Sequence, residues 1–120
     1  DKRRDPITGK TQSINLVGDV ENKDCLIFDD LIDSGGTLCD AVSLLKNKGA
    51  RKVYCYATHG LFTEGRDNLC CSFDRVMTSN TYYREDFAPV EIIDVSPIFA
   101  EAIYRAQTGG SISELFEIKE

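Results

Sequence analysis

The chain has 120 residues, of which 14 are Lys or Arg and 20 are Asp or Glu, for a net charge of −6. A chain of this length buries one modest core and has no room for a second domain. Its 42% hydrophobic content, 28% charged residues and three prolines exclude disorder and low complexity, and the acidic balance excludes general electrostatic attachment to nucleic acid or anionic lipid.

No apolar run approaches the roughly 20 residues that cross a bilayer, and no secretory apolar stretch follows the basic start. The expectation is a soluble, cytoplasmic protein without nucleic-acid or membrane partners. The five cysteines are odd in number, lack C-x-x-C spacing and have no histidine near enough to complete a zinc set. They fit reduced thiols acting as small hydrophobes. The chain begins at Asp1, without Met, in a charged segment, a pattern expected of part of a longer protein.

Residues 1–13, polar and carrying Pro6 and Gly9, predict a mobile loop. Residues 14–20 predict a short strand. The apolar run 25–28 predicts a strand buried on both faces of a parallel sheet and ended by Asp29 and Asp30. After Leu31 to Thr37, a helical pattern places Leu38, Ala41, Val42 and Leu45 on one face and closes with Lys46, Asn47 and Lys48 before Gly49. Residues 53–57 predict a second strand, 66–70 a short helix, 75–78 a third strand, 79–89 a connecting loop and 90–95 another strand. Pro97 suits the first turn of a helix with an apolar stripe of Ile98, Ala102, Ile103 and Ala106, stopping at Gly109 and Gly110. A short amphipathic piece, 112–116, completes the chain. Alternating strands and helices predict an α/β domain with a mainly parallel sheet flanked by helices.

The chemistry concentrates in residues 25–38, CLIFDDLIDSGGTL. A helix start offers unpaired amides and the positive end of the helix dipole, and Gly35 and Gly36 let the backbone approach a ligand closely. That is a phosphate cradle, to which Ser34 and Thr37 add hydroxyls, one of them a candidate N-cap. Asp29, Asp30 and Asp33 would repel a phosphate if they faced it. Carboxylates accept hydrogen bonds from a diol and hold Mg2+ directly or through water, so a phosphorylated sugar satisfies both halves of the segment. At the carboxyl end of a parallel strand such a ligand lies where α/β sheets bind ligands.

Three weaker patterns stand beside this one. Gly9-Lys10-Thr11 ends like an ATP-binding phosphate loop, but Arg4 stands where that motif needs glycine and no apolar strand precedes it. His59 is the lone histidine, so no triad or His-rich metal site can be assembled; at a strand's carboxyl end it suits either a site wall or a structural role. Lys2-Arg3-Arg4 in isolation is a solvated basic patch. Beside a sugar-phosphate site, a flexible cationic loop can close and neutralise charge on a transferring phosphoryl group.

These residues resemble a known family. Asp1 to Arg4, VGDVENKDCLIFDDLIDSGGTL, KGARKVYCYATHGLF, the TSNT segment and AEAIYRAQTGGSISELF together resemble the C-terminal half of the ribose-phosphate pyrophosphokinase family, over nearly the whole chain. The resemblance implies a type I phosphoribosyltransferase-like fold, truncated on its N-terminal side, with residues 1–120 forming part of a C-terminal domain. It implies transfer of the diphosphoryl group of MgATP to the anomeric hydroxyl of ribose 5-phosphate, giving phosphoribosyl pyrophosphate and AMP, with Mg2+ as cofactor. Residue by residue it implies that Asp29, Asp30, Asp33, Ser34, Gly35, Gly36 and Thr37 form the ribose-5-phosphate loop. Lys2 and Arg4 match the basic pair that stabilises the diphosphoryl group in the transition state.

The tail around Ser111, Ser113 and Phe116 resembles a segment that contributes to an inter-subunit allosteric site in phosphate- and ADP-regulated members; a docked end-helix is the other reading. A homo-oligomer, hexameric by resemblance, is implied. Metal ligands are not identifiable in this stretch. Ser34 replaces a more usual Thr and keeps the hydroxyl, whereas residues 63–66 and 82–86 depart from the familiar pattern and receive no role. The family's N-terminal domain, with its ATP and Mg2+ ligands, falls outside this chain, so the chain by itself is expected to be inactive. Two other readings share the loop: a non-catalytic regulatory homologue and a nucleobase phosphoribosyltransferase, the latter having no use for the Lys2/Arg4 segment or the tail.

Overall fold

A computed structural model of the chain describes residues 2–4 and 11–117, with side chains over 15–117. Two short strands, β1 (Lys2–Arg4) and β2 (Thr11–Ile14), pair antiparallel with a register shift between Arg3 and Arg4. Here the structure departs from the sequence reading, which has a loop over 1–13 and a strand over 14–20. Neither strand has apolar alternation; each is extended because it pairs with the other, and that pairing leaves no local signature.

The main sheet has four parallel strands in the order β3 (Asp24–Ile32), β4 (Lys52–Gly60), β5 (Arg75–Ser79) and β6 (Glu91–Ile93). Helix α1 (Gly36–Asn47) joins β3 to β4 and α2 (Asp67–Ser72) joins β4 to β5. With neighbours in chain order, right-handed crossovers put both helices on one face. That face carries the core: Leu38, Val42 and Leu45 of α1, Leu69 of α2, and Val53, Cys55, Ala57 and Val76 of the strands. Helix α1 stops at Lys48, and Gly49 turns the chain with φ +89°.

Strand β3 runs past the point where its polarity suggests an end. Asp29 and Asp30 lie inside it, because the ladder to β4 continues through Leu31 opposite His59 and Ile32 opposite Gly60. Nor is its apolar run buried on both faces. Cys25 and Ile27 are half-buried against the core, while Leu26 is 45% exposed and Phe28 72%. Both crossover helices sit on the other side, so an apolar run that predicts a doubly covered strand is covered once.

In β4 the buried positions Val53, Cys55 and Ala57 alternate as a strand should, and then the next buried residue is Gly60. This break falls at Thr58-His59, beside the point on β3 where Asp30 makes no pair. Strands β3 and β4 therefore change phase together just below their carboxyl ends.

Helix α3 (Ser96–Thr108) begins with Pro97 in its first turn and ends at Gly109 with φ +73°, as the sequence predicts. Its apolar stripe is another matter: Ile98, Phe99, Ile103 and Tyr104 are all exposed, and no residue of the helix is buried. Amphipathic periodicity identifies a helix that needs a partner without saying which, and none is present among the described residues. A 3-10 turn (Ser113–Phe116) follows. No described helix is long and apolar enough to cross a membrane.

Candidate functional site

The sequence between β3 and α1 folds into a cleft of about 370 Å3 lined by Asp29, Asp30, Asp33, Ser34, Gly35, Gly36 and Thr37 together with Leu31, Ile32 and Leu38. All seven residues singled out for the sugar phosphate meet there. The cleft stands at the carboxyl end of β3, at the amino end of a 12-residue helix. First-turn amides have no intrahelical partners and carry the positive pole of the helix dipole.

Gly35 sits at the N-cap with φ +84°, a left-handed conformation costly for any residue with a β carbon. The helix has no side-chain cap and no acid in its first turn. The expected N-cap hydroxyl is thus absent; the Ser34 hydroxyl instead accepts a long bond of 3.5 Å from the Gly36 amide. With glycine at the N-cap, no cap side chain stands between the helix start and the cleft. A β carbon built on Gly36 meets nothing nearer than the Ser34 hydroxyl, 3.9 Å away.

The acids stand beside this cradle rather than in it. Asp29 accepts the Asp30 amide at 2.8 Å. Asp33 accepts the Thr63 hydroxyl at 2.7 Å on Oδ1, and its carbonyl accepts the Thr63 amide at 3.0 Å. Thr63 belongs to the loop after β4 and is a contact that no sequence motif marks. The only available signal is topological, since the carboxyl ends of adjacent parallel strands lie side by side. Beneath the cleft, burial pushes the Cys55 thiol up to about 12, with the Asp29 charge adding to the effect.

The other sequence-derived candidates are not among the described residues that line this cleft. Lys2 and Arg4 fall on β1, and their side chains lie outside the described ones. Ser111, Ser113 and Phe116 stand at the 3-10 turn, away from the cleft lining. The Ser111 and Ser113 hydroxyls are 3.4 Å apart, the Ser111 carbonyl accepts from Arg105 at 2.7 Å, and Phe116 is exposed. His59 pairs with the Thr81 hydroxyl at 2.7 Å and lines a separate apolar cleft with Asn80, Phe99 and Ile103. Among the described residues no three His, Cys, Asp or Glu side chains are grouped to hold a metal ion.

Comparison with known proteins bears on the family and the fold. A family model described as the phosphoribosyl synthetase-associated domain matches residues 5–117. The ribose-phosphate pyrophosphokinase of Aquifex aeolicus (strain VF5) is 40% identical over 118 residues, covering 95% of this chain and 38% of its own. That of Vibrio parahaemolyticus is 43% identical over 122 residues, covering 97% and 38%. The crystal structure of phosphoribosylpyrophosphate synthetase from Mycobacterium smegmatis matches with a TM-score of 0.75 at 37% identity, over 84% of this chain and 36% of that one. The chain thus spans less than two fifths of the length of these relatives.

Proposed function

The chain belongs to the phosphoribosyl synthetase-associated domain family, and from that premise we propose that it supplies the ribose-5-phosphate side of a ribose-phosphate diphosphokinase. The reaction moves the diphosphoryl group of MgATP onto the anomeric hydroxyl of ribose 5-phosphate, yielding phosphoribosyl pyrophosphate and AMP. The observation that carries the reading is the glycine pair at the amide end of α1, opening into the same cleft as three carboxylates.

In this reading the amides around Gly35 and Gly36 grip the 5-phosphate, aided by the Ser34 and Thr37 hydroxyls. Asp29, Asp30 and Asp33 accept hydrogen bonds from the ribose hydroxyls, orienting the anomeric hydroxyl toward the nucleotide. Lys2 and Arg4 neutralise charge on the diphosphoryl group as it transfers, so catalysis is by positioning and electrostatics with no covalent intermediate. Asp29, Asp30 and Asp33 are the residues of the cleft that would hold Mg2+, directly or through water. The ion would supply charge neutralisation at the phosphates. The protein in this reading is cytoplasmic and homo-oligomeric; the exposed apolar face of α3 and the exposed Ser111, Ser113 and Phe116 are consistent with contacts between subunits.

Calorimetric titration of ribose 5-phosphate into the protein that carries this chain tests the proposal. Gly36→Val adds atoms where the protein itself leaves space, so the fold should survive and binding should fall at least ~10-fold through exclusion of the phosphate. Unchanged affinity in both Gly36→Val and Asp29→Asn would remove the cleft from the function.

A further inference from the structure

We infer that Thr63 is a positioning residue for the sugar: its hydroxyl holds the Asp33 carboxylate so that the remaining oxygen is presented to a ribose hydroxyl instead of turning on the phosphate. This rests on the ribose-5-phosphate reading of the cleft and gives a role to a residue of the segment 63–66, to which the sequence reading assigns none.

The loop after β4 is bonded to the end of β3 by a run of main-chain contacts. Leu61 and Phe62 amides donate to the Ile32 carbonyl at 2.9 and 3.3 Å, and the Thr63 amide donates to the Asp33 carbonyl at 3.0 Å. That run sets the Thr63 side chain beside Asp33, where Oγ1 donates to Oδ1 at 2.7 Å. Asp33 Oδ2 has no partner among the described residues, although Asp33 lines the cleft.

The loop is anchored from behind. Phe62 is buried and meets Phe87 edge to face at 5.0 Å. Arg84 donates to the Leu61 carbonyl, and its guanidinium lies 4.6 Å over the Phe87 ring. Arg66 lies over the same ring at 4.6 Å. With Phe62 sunk in the core and Leu61 held by Arg84, Thr63 keeps its hydroxyl in place before any ligand arrives, and a preset geometry costs nothing further on binding.

The electrostatics need such a restraint. A carboxylate three residues before the helix start would repel a phosphate it faced, and a short side chain rotates easily between staggered positions. A hydroxyl bond to a charged oxygen is charge-assisted and stronger than a neutral one, and it fixes one oxygen while leaving the other as an acceptor.

The test is calorimetric titration with ribose 5-phosphate and, separately, with inorganic phosphate, on the protein carrying this chain and its Thr63→Val, Thr63→Ser, Asp33→Asn and Thr63→Val/Asp33→Asn variants. Thr63→Val should weaken ribose 5-phosphate about 10-fold while moving inorganic phosphate less than about twofold, and Thr63→Ser should restore binding. In the Asp33→Asn background the Thr63→Val step should add little, because the charge that the hydroxyl restrains is already removed. Equal affinity for the sugar phosphate in Thr63→Val overturns the inference. So does a parallel loss of both ligands, which marks a collapsed loop. A parent protein that binds inorganic phosphate but shows no preference for ribose 5-phosphate overturns the reading of the cleft itself, a result distinct from either.

Discussion

Leu69 of α2 stands 3.2 Å from the place where a β carbon on Gly35 would lie, so the second crossover helix packs directly against the turn that opens the first. Gly35 is held by two constraints at once, a φ of +84° and that contact. Gly35→Ala should cost about 1–2 kcal/mol from the left-handed backbone alone, and each kcal/mol lowers Tm by roughly 4–8 °C in a domain of this size. Leu69→Ala in the same background should relieve the contact but not the backbone cost. Thermal unfolding of the two single variants and the double variant separates these contributions; a Gly35→Ala protein as stable as its parent would show that the turn is not held this way.

Asp74 should make stability fall in acid. It accepts the Val53 amide at 2.8 Å and bonds with Lys46 at 3.1 Å and Lys52 at 3.3 Å, and these contacts, the amide foremost, hold its carboxyl down at about 2 against an ordinary 3.8. A carboxyl with a depressed folded value contributes stability that is fully present above the ordinary value and disappears as pH falls through the folded one. The Tm difference between the parent and Asp74→Asn should be level above pH 4 and close between about pH 4 and pH 2. A difference that stays constant over that range would contradict the account.

The thiols should separate by burial. Cys55 is wholly buried with its pKa pushed up to about 12 by desolvation, whereas Cys71 is exposed. With a thiolate-selective reagent at pH 8, Cys71 should label in the native protein, and Cys55 should label only after denaturation. Prompt native labelling of Cys55, located by peptide mass mapping, would mean that the sheet opens readily.

The two faces of the sheet should respond unequally to mutation. Val53 is completely buried, so Val53→Ala should cost about 2 kcal/mol in lost burial and cavity. Phe28, 72% exposed with one edge contact to Tyr56 at 6.0 Å, should tolerate Phe28→Ser within about 0.5 kcal/mol in this chain. Urea unfolding of both variants measures the contrast. A large loss at Phe28 would show that something covers that face.

Lys2→Ala in the protein carrying this chain should lower kcat by about 100-fold while leaving ribose 5-phosphate affinity nearly unchanged, since a group that meets charge only in the transition state does not bind the ground state. Steady-state kinetics beside a direct binding titration decide it. Equal loss of turnover and sugar affinity would move Lys2 into ground-state binding.

Local chemistry made much of this protein legible from its residues alone. The register Asp29, Asp30, Asp33, Ser34, Gly35, Gly36, Thr37 brings acids and open amides within a few residues of one another, so their meeting in one cleft follows from a single strand-to-helix turn. Gly49 and Gly109 end their helices where the sequence places them, because a left-handed turn favours a residue without a β carbon. The hairpin of Lys2–Arg4 with Thr11–Ile14, the exposed side of β3 and the unburied stripe of α3 were decided only by tertiary structure. Pairing and covering are made by partners distant in the chain, and an apolar pattern records the need for a partner without recording its identity. Thr63 belongs with them: thirty residues from Asp33, it reaches that carboxylate because neighbouring parallel strands end side by side.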